Sequence, residues 1–252
     1  VYEAMTTFGT AGESSAGLVA TSGAQVLLAI SNDHAATWEL RTVFTPPQSA
    51  QVGLIGFPTS IFPVVAADAA GTLYVVFSSD QRVVSGLPGD LPKSVARFGV
   101  YLTTSADQGA TWTEPALLSD PDHNALMPFI AAGAKGRVAV TWYENTLGLP
   151  SDFLPDLWNV MLWESITADQ AQPDGVTAQL NDLPNHIGAV CTAGTGCLAG
   201  DRSLLDFFEV ALTPEGHPVA TWAYTVAGTG VGVSAQGPEI YFGGVADGTP
   251  LA

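Results

Sequence analysis

Ser105-Ala106-Asp107-Gln108-Gly109-Ala110-Thr111-Trp112 is the stretch from which the rest of the chain can be read. An earlier segment, Ser31-Asn32-Asp33-His34-Ala35-Ala36-Thr37-Trp38, carries the same Ser, Asp, Thr and Trp at the same offsets. Ser, Asp and Thr side chains bond nearby backbone groups and hold a tight turn; Gly109 permits positive φ; each Trp is a large apolar anchor. Strand-like runs flank both segments, so each reads as the turn of a β-hairpin, used twice.

A second repeat accompanies the first. Pro63 to Phe77, Pro128 to Trp142 and Phe208 to Trp222 each read as a strand, a turn on Gly71, Gly136 or Gly216, and a strand closing on an aromatic residue. Joining this hairpin (strands A and B) to the Ser-x-Asp hairpin (strands C and D) gives a four-stranded unit. Repeats of this size built only from strands predict an all-β propeller of antiparallel four-stranded blades. Four units are expected within one domain, at 1–46, 58–119, 125–182 and 200–252. Residues 62–67, 72–78, 98–104 and 113–119 supply strands A to D of the second unit. In the third, A to D fall at 127–132, 137–143, 158–166 and 176–180, with Thr167-Ala168-Asp169-Gln170 in the place of the box. Runs at 17–21 and 25–31 lead into the first box, with 39–44 as its strand D. The fourth has A at 207–212, B at 218–224 and C at 239–246, with no fourth strand. Either residues 1–8 supply that strand by closing the ring, or the chain is a fragment whose other blades lie elsewhere.

Composition narrows the function. Apolar residues make up 47% but charged ones only 12%, about half the usual ~25%, so a large core sits under a surface of neutral polar groups. With 24 acidic against 7 basic residues, the net charge is −17. That field repels phosphate, which makes nucleic acid and anionic membrane unsuitable partners. No apolar run is long enough for a membrane span. The spacing of Cys191-Thr-Ala-Gly-Thr-Gly-Cys197 suits a small disulfide loop, and with it an oxidising, extracytoplasmic setting; the alternative is two free thiols.

Strand alternation then sorts the connections. A–B and C–D turns share one rim and are short. B–C and D–A connections share the other rim and are long: 45–61, 79–97, 144–157, 181–206 and 225–238. Long Pro- and Gly-rich loops gathered on one face are where binding groups concentrate. Of the arginines, Arg82, Arg97 and Arg202 fall on these loops, while Arg41 lies in a D strand and Arg137 beside the short-turn rim.

The Ser-x-Asp-x-Gly-x-Thr-Trp box resembles the bacterial neuraminidase repeat, the Asp-box of sialidase-like β-propellers. Ser105, Asp107, Gly109, Thr111 and Trp112 match it fully; Ser31, Asp33, Thr37 and Trp38 match it with Ala35 in place of Gly, which predicts a strained or altered first turn. Gly200-Asp201-Arg202 ahead of Phe207-Phe208-Glu209-Val210 is also similar to this group. The resemblance implies that the boxes are structural and lie away from any active site, and that a propeller has six blades. It also implies, for the enzymes of the family, three arginines clamping a carboxylate, a Tyr–Glu nucleophile and an Asp acid/base. The Arg-Ile-Pro motif of the first such arginine is absent here. Arg82, Arg97 and Arg202 with Tyr143, Glu144 and Tyr224, all near the long-loop face, are the residues available for that role. Each also has an ordinary structural reading, as an ion-pair partner or a strand-end residue.

Other constellations carry less. Asp80, Asp90, Asp152 and Asp156 offer oxygens on loops without calcium-loop spacing. His34, His123, His186 and His217 show no paired metal spacing and read as turn or surface residues. Trp158 and Trp163 either stack a sugar or pack between blades. No cofactor is called for. The expectation is an extracellular propeller that binds a glycan or protein on its long-loop face without catalysis. A sialidase-type glycoside hydrolase and a self-assembling subunit of an extracellular filament or sheath are the alternatives.

Overall fold

A computed structural model describes residues 1–6, 25–45, 63–80, 98–147, 156–190, 204, 208–225, 239–245 and 250–252. Every regular element among them is a β-strand, and no helix long and apolar enough to cross a membrane occurs among them. β1 (Tyr2–Thr6), β2 (Val26–Ile30) and β3 (Glu39–Phe44) form the first antiparallel sheet. The second contains β4 (Val64–Ala67), β5 (Leu73–Asp80), β6 (Phe98–Ser105) and β7 (Ala116–Leu117). The third contains β8 (Asn124–Ala132), β9 (Val138–Asn145), β10 (Leu157–Ser165) and β11 (Val176–Gln179), with β12 (His186–Ile187) also paired to β10. The fourth contains β13 (Glu209–Leu212), β14 (Pro218–Tyr224) and β15 (Glu239–Gly244).

Each sheet is a meander, and the sheets stack face to face in chain order. Alternation along the strands shows this directly. Leu73, Val75 and Phe77 of β5 join Val26, Leu28, Ile30 and Val43 of the first sheet in one apolar cluster. Tyr74 and Val76, on the other face of β5, join Val138, Val140, Trp142 and Trp163 of the third. Leu126, Tyr143, Trp158 and Leu162 meet Phe208, Val210, Ala220 and Trp222 of the fourth. All eight residues of β9 are buried. A strand covered on both faces needs no polar side, which is why Val138-Ala-Val-Thr-Trp-Tyr143 reads as a continuous run. These are stacked blades: the fold is a β-propeller.

The two Ser-x-Asp turns have the same geometry. Ser105 Oγ donates to Asp107 Oδ1 and accepts from the Gly109 N–H, both at 2.8 Å. Asp107 accepts from the Thr111 N–H at 2.8 Å and from Thr111 Oγ1 at 2.6 Å. In the first turn Ser31 bonds Asp33 and the Ala35 N–H at 2.8 Å, and Asp33 takes the Thr37 N–H at 2.9 Å and Oγ1 at 2.5 Å. The Thr hydroxyl, the Thr N–H and the Ser hydroxyl together hold each Asp carboxyl down to about 2. Ala35 adopts φ 68° where Gly109 has 84°. The hydrogen bonds are therefore strong enough to impose the left-handed conformation on an alanine: the turn keeps its shape and is strained.

The A–B turns stitch neighbouring blades together along the same rim. The buried Asp68 carboxylate accepts from the Ala70 and Thr72 N–H groups at 2.9 Å, from Tyr74 Oη at 2.7 Å and from the Gly136 N–H of the next blade at 3.0 Å. Farther along, the Ala134 N–H donates to Leu251 O and the Leu251 N–H to Gly216 O, both at 2.8 Å, while the Arg137 guanidinium bonds Pro250 O. Leu251 is thereby buried between the third and fourth turns.

One expectation needs correction. The N-terminal segment does not supply a fourth strand to the last sheet: Tyr2–Thr6 pairs with Val26–Ile30 and is strand B of its own blade. The Ser31 N–H donates to Val1 O at 2.9 Å and the Val1 ammonium to Ser31 O at 2.8 Å, which closes the end of that pairing. Residues 17–21 lie outside the described residues.

Candidate functional site on the long-loop face

The long-loop end of the third blade is floored by polar side chains that the structure buries. β8 begins at Asn124, β9 ends at Asn145, and β10 and β12 place Trp158 and His186 beside them; the registers Asn124↔Asn145, Asn145↔Trp158 and Trp158↔His186 set these four in one row across the sheet. Residues opposite one another in an antiparallel sheet project to the same face. All four are buried, as are Asn185 and Asp156.

Each is tied into the framework. Asn124 Oδ1 accepts the Phe98 N–H at 2.9 Å, drawing the second blade in. Asn145 Oδ1 takes the Leu147 N–H at 2.9 Å, and Trp158 Nε1 donates to Gly188 O at 3.1 Å. His186 Nδ1 lies 2.6 Å from Thr225 Oγ1, and Asn185 Nδ2 donates to Ala223 O at 2.9 Å, so this corner spans the third and fourth blades. Met127, at φ 57° within the register shift between Leu126 and Phe129, bends β8 just below Asn124. Bulges of this kind re-aim the strand end that follows or precedes them.

Tyr143 and Glu144 are neighbours in β9 and therefore project to opposite faces. Tyr143 stacks on Phe208 with ring centroids 4.3 Å apart. Burial pushes its phenol well up, against a lesser opposing effect of the Ala223 backbone. Glu144 turns towards the second blade, where it accepts from Trp142 Nε1 at 2.8 Å and lies 2.8 Å from His123 Nδ1. Tyr224, at the end of β14, packs at a tilt of 37° on Tyr241 of β15 with centroids 4.5 Å apart, and Tyr241 stays exposed. The structure thus brings Tyr224 to the blade edge beside Thr225 and His186, and separates it from Glu144.

Arg82, Arg97 and Arg202 lie outside the described residues, as do Cys191, Cys197, Asp90 and Asp152. Trp158 and Trp163 are buried between blades and offer no face to a sugar. His123 sits at the turn ahead of β8, as expected, with its ring 2.8 Å from Glu144; His186 was expected at a turn or on the surface and is instead buried in this floor against Thr225. The asparagines were missed altogether. Nothing in the alternation marks them, because a buried Asn reads as an ordinary strand-end or turn residue until its partners are known. Among the described residues no group of three His, Cys, Asp or Glu is placed to hold a metal ion.

With the geometry in hand, comparison with known proteins yields likeness of fold alone. No family model matches the chain, and no curated protein matches it. A protein of unknown function from Dyadobacter fermentans DSM 18053 superposes with a TM-score of 0.50 at 13% identity, over 90% of this chain and 53% of that one. A GH93 α-L-arabinofuranosidase of Fusarium graminearum, solved with arabinobiose, gives 0.46 at 14% identity, over 87% and 55%. An α-L-arabinofuranosidase from Lactobacillus brevis gives 0.39 at 11%, over 92% and 86%. This chain spans about half the length of the first two.

Proposed function

We propose that this chain is a binding module of an extracytoplasmic protein, an Asp-box β-propeller that takes a glycan on its long-loop face and performs no chemistry on it. The observation that carries the reading is the exposed Tyr241 ring, packed on Tyr224 at a blade edge that the buried row Asn124–Asn145–Trp158–His186 holds in place. The asparagines at this end are buried and bond Phe98, Leu147 and Ala223, so they fix the edge that carries the ring. An exposed aromatic face supplies the apolar contact that a pyranose or furanose ring offers on its C–H side. Glu144, one of two buried carboxylates at this end with Asp156, already holds two partners, and the raised phenol of Tyr143 is a poor nucleophile. Both favour binding over hydrolysis.

The test is a glycan array probed with the whole chain, followed by calorimetry on the glycans retained and by fluorogenic sialosides and arabinofuranosides. Retention without fluorophore release, weakened about tenfold or more by Tyr241→Ala, is the expected result. Release of fluorophore at a rate that scales with protein concentration overturns the non-catalytic reading. Retention unchanged in Tyr241→Ala overturns the assignment of the platform.

A further inference from the structure

Among the described residues, the first–second and second–third blade contacts are made in the same way, by the C–D turn of one blade seated on strand C of the blade before it. A Cβ added to Gly109, in the second blade's turn, would stand 3.2 Å from Leu28 Cδ2 and 3.3 Å from Ile30 Cδ1 of β2. Trp112 packs in the same cluster. The third blade repeats the contact on the second: Ala168 O accepts from Thr104 Oγ1 at 3.0 Å, and Ala168 is buried in a cluster with Leu102. Leu28 and Leu102 are equivalent, standing at the same distance before Ser31 and Ser105.

The two outermost blades carry the unused halves of this contact. In the first blade, the Asp33 turn has the geometry of the Asp107 turn, yet its Trp38 is 42% exposed and Leu40 beside it 59%. In the fourth, the receiving position is Phe242. Phe77 and Trp222 are equivalent in their hairpins, they pair with Tyr101 and Tyr241, and Phe242 therefore takes the place of Leu102. Leu102 is buried; Phe242 is 79% exposed and Ile240, on the same face of β15, 68%. Strand C is buried for most of its length in the second and third blades but exposed at five of its six positions in the fourth. Among the described residues, a turn with no receiver and a receiver with no turn therefore stand at opposite ends of the stack.

We infer that the Asp33–Trp38 turn of one copy of this chain seats on the Ile240–Phe242 face of a second copy, head to tail. The occupant is set by the repeat itself, because what fits Phe242 is what already fits Leu28 and Leu102, and this chain presents one spare example. Two copies related by a two-fold axis make that contact twice, the turn of each on strand C of the other.

Sedimentation velocity on the whole chain, from about 1 to about 100 µM, tests it by mass action. The expected species is twice the 26.0 kDa of the chain. Trp38→Asp and Phe242→Asp, both at exposed positions, should each be monomeric with an unchanged circular dichroism spectrum. Mixed in equal amounts they should regain a dimer at the highest concentration, since the intact Trp38 of one meets the intact Phe242 of the other. Leu40→Lys with Ile240→Lys is a second pair should either aspartate variant fail to fold. A wild-type monomer over the whole range overturns the inference and leaves these faces to one another or to a different chain. A dimer indifferent to both substitutions overturns it too, as does a mixture that stays monomeric.

Discussion

Gly109→Ala isolates the tightest point of the second turn. The glycine sits at φ 84°, where an L-residue pays for its Cβ, on the order of 1–2 kcal/mol. The new methyl group would also press Leu28 Cδ2 and Ile30 Cδ1, at 3.2 and 3.3 Å. Those are side-chain ends that can yield by a few tenths of an ångström, so this overpacking falls at the low end of the usual ~1–3 kcal/mol. Together the two effects predict a loss of about 2–3 kcal/mol. Ala35 is the internal control, because it already holds φ 68° in an identical hydrogen-bond set. Ala35→Gly relieves the strain but loosens the unfolded chain, which offsets part of the gain, and a net stabilisation of about 0.5–1 kcal/mol is expected. Urea titration followed by Trp fluorescence measures both: the midpoint should fall for Gly109→Ala and rise for Ala35→Gly, with the slope unchanged. A Gly109→Ala protein within about 0.5 kcal/mol of wild type would refute the reasoning, as would an Ala35→Gly protein less stable than wild type.

Three further outcomes follow from the carboxylates. Asp33 and Asp107 are held down to about 2 in the folded chain against an ordinary 3.8. Their contribution is thus fully present above pH 4 and is lost as pH falls towards 2; urea midpoints of an Asp33→Asn, Asp107→Asn double variant should depend less on pH across that window than those of wild type. Glu164 goes the other way: burial raises its carboxyl above 4.5, partly countered by His217. It favours folding below its unfolded value and opposes folding as pH rises, so Glu164→Gln should raise the urea midpoint at pH 7 and leave it unchanged at pH 4. For Asp68, burial alone would push the carboxyl up, but the Gly136 N–H, Tyr74 hydroxyl and its own turn amides outweigh it and bring it below the ordinary value. Asp68→Asn turns an amide N–H₂ towards one of those donors, for a loss of about 2–3 kcal/mol in thermal or urea unfolding; an unchanged midpoint would show that the Asp68–Gly136 link does not join the blades.

The blades were legible because their evidence is local. Gly71, Gly136 and Gly216 mark turns that need positive φ, and all three have it; the aromatic residues that close each hairpin are the ones buried at the sheet centres. Strand D of the second blade was the least legible; those of the first and third fall where expected. Ala116–Leu117 is the regular part of the expected 113–119; Thr113 and Leu118 also bond β6 through the Thr104 and Val100 carbonyls, but the Thr113 side chain caps Thr103 and Thr104 and interrupts the ladder. At the candidate site the legible part was Tyr143, Glu144 and Tyr224 as strand ends. That Tyr143 and Glu144 serve two different inter-blade faces follows from the pleat and could have been drawn from the alternation of β9. His186 and Asn185 could not, since their partners Thr225 and Ala223 are far away in the chain.

Turn chemistry and alternation are encoded over a few residues, so the chain by itself determines that it folds as stacked four-stranded blades with short turns on one rim. Ser105 to Trp112 is the clearest statement of that, a closed set of bonds among side chains and backbone within one turn. What lies against that turn is a different kind of fact. Only the tertiary structure decides that Gly109 rests on Leu28 and Ile30, that Trp112 is covered while Trp38 is not, and that Phe242 stands open where Leu102 is filled. Those outcomes depend on which blade is next door, and no hydrogen bond internal to the turn records its neighbour.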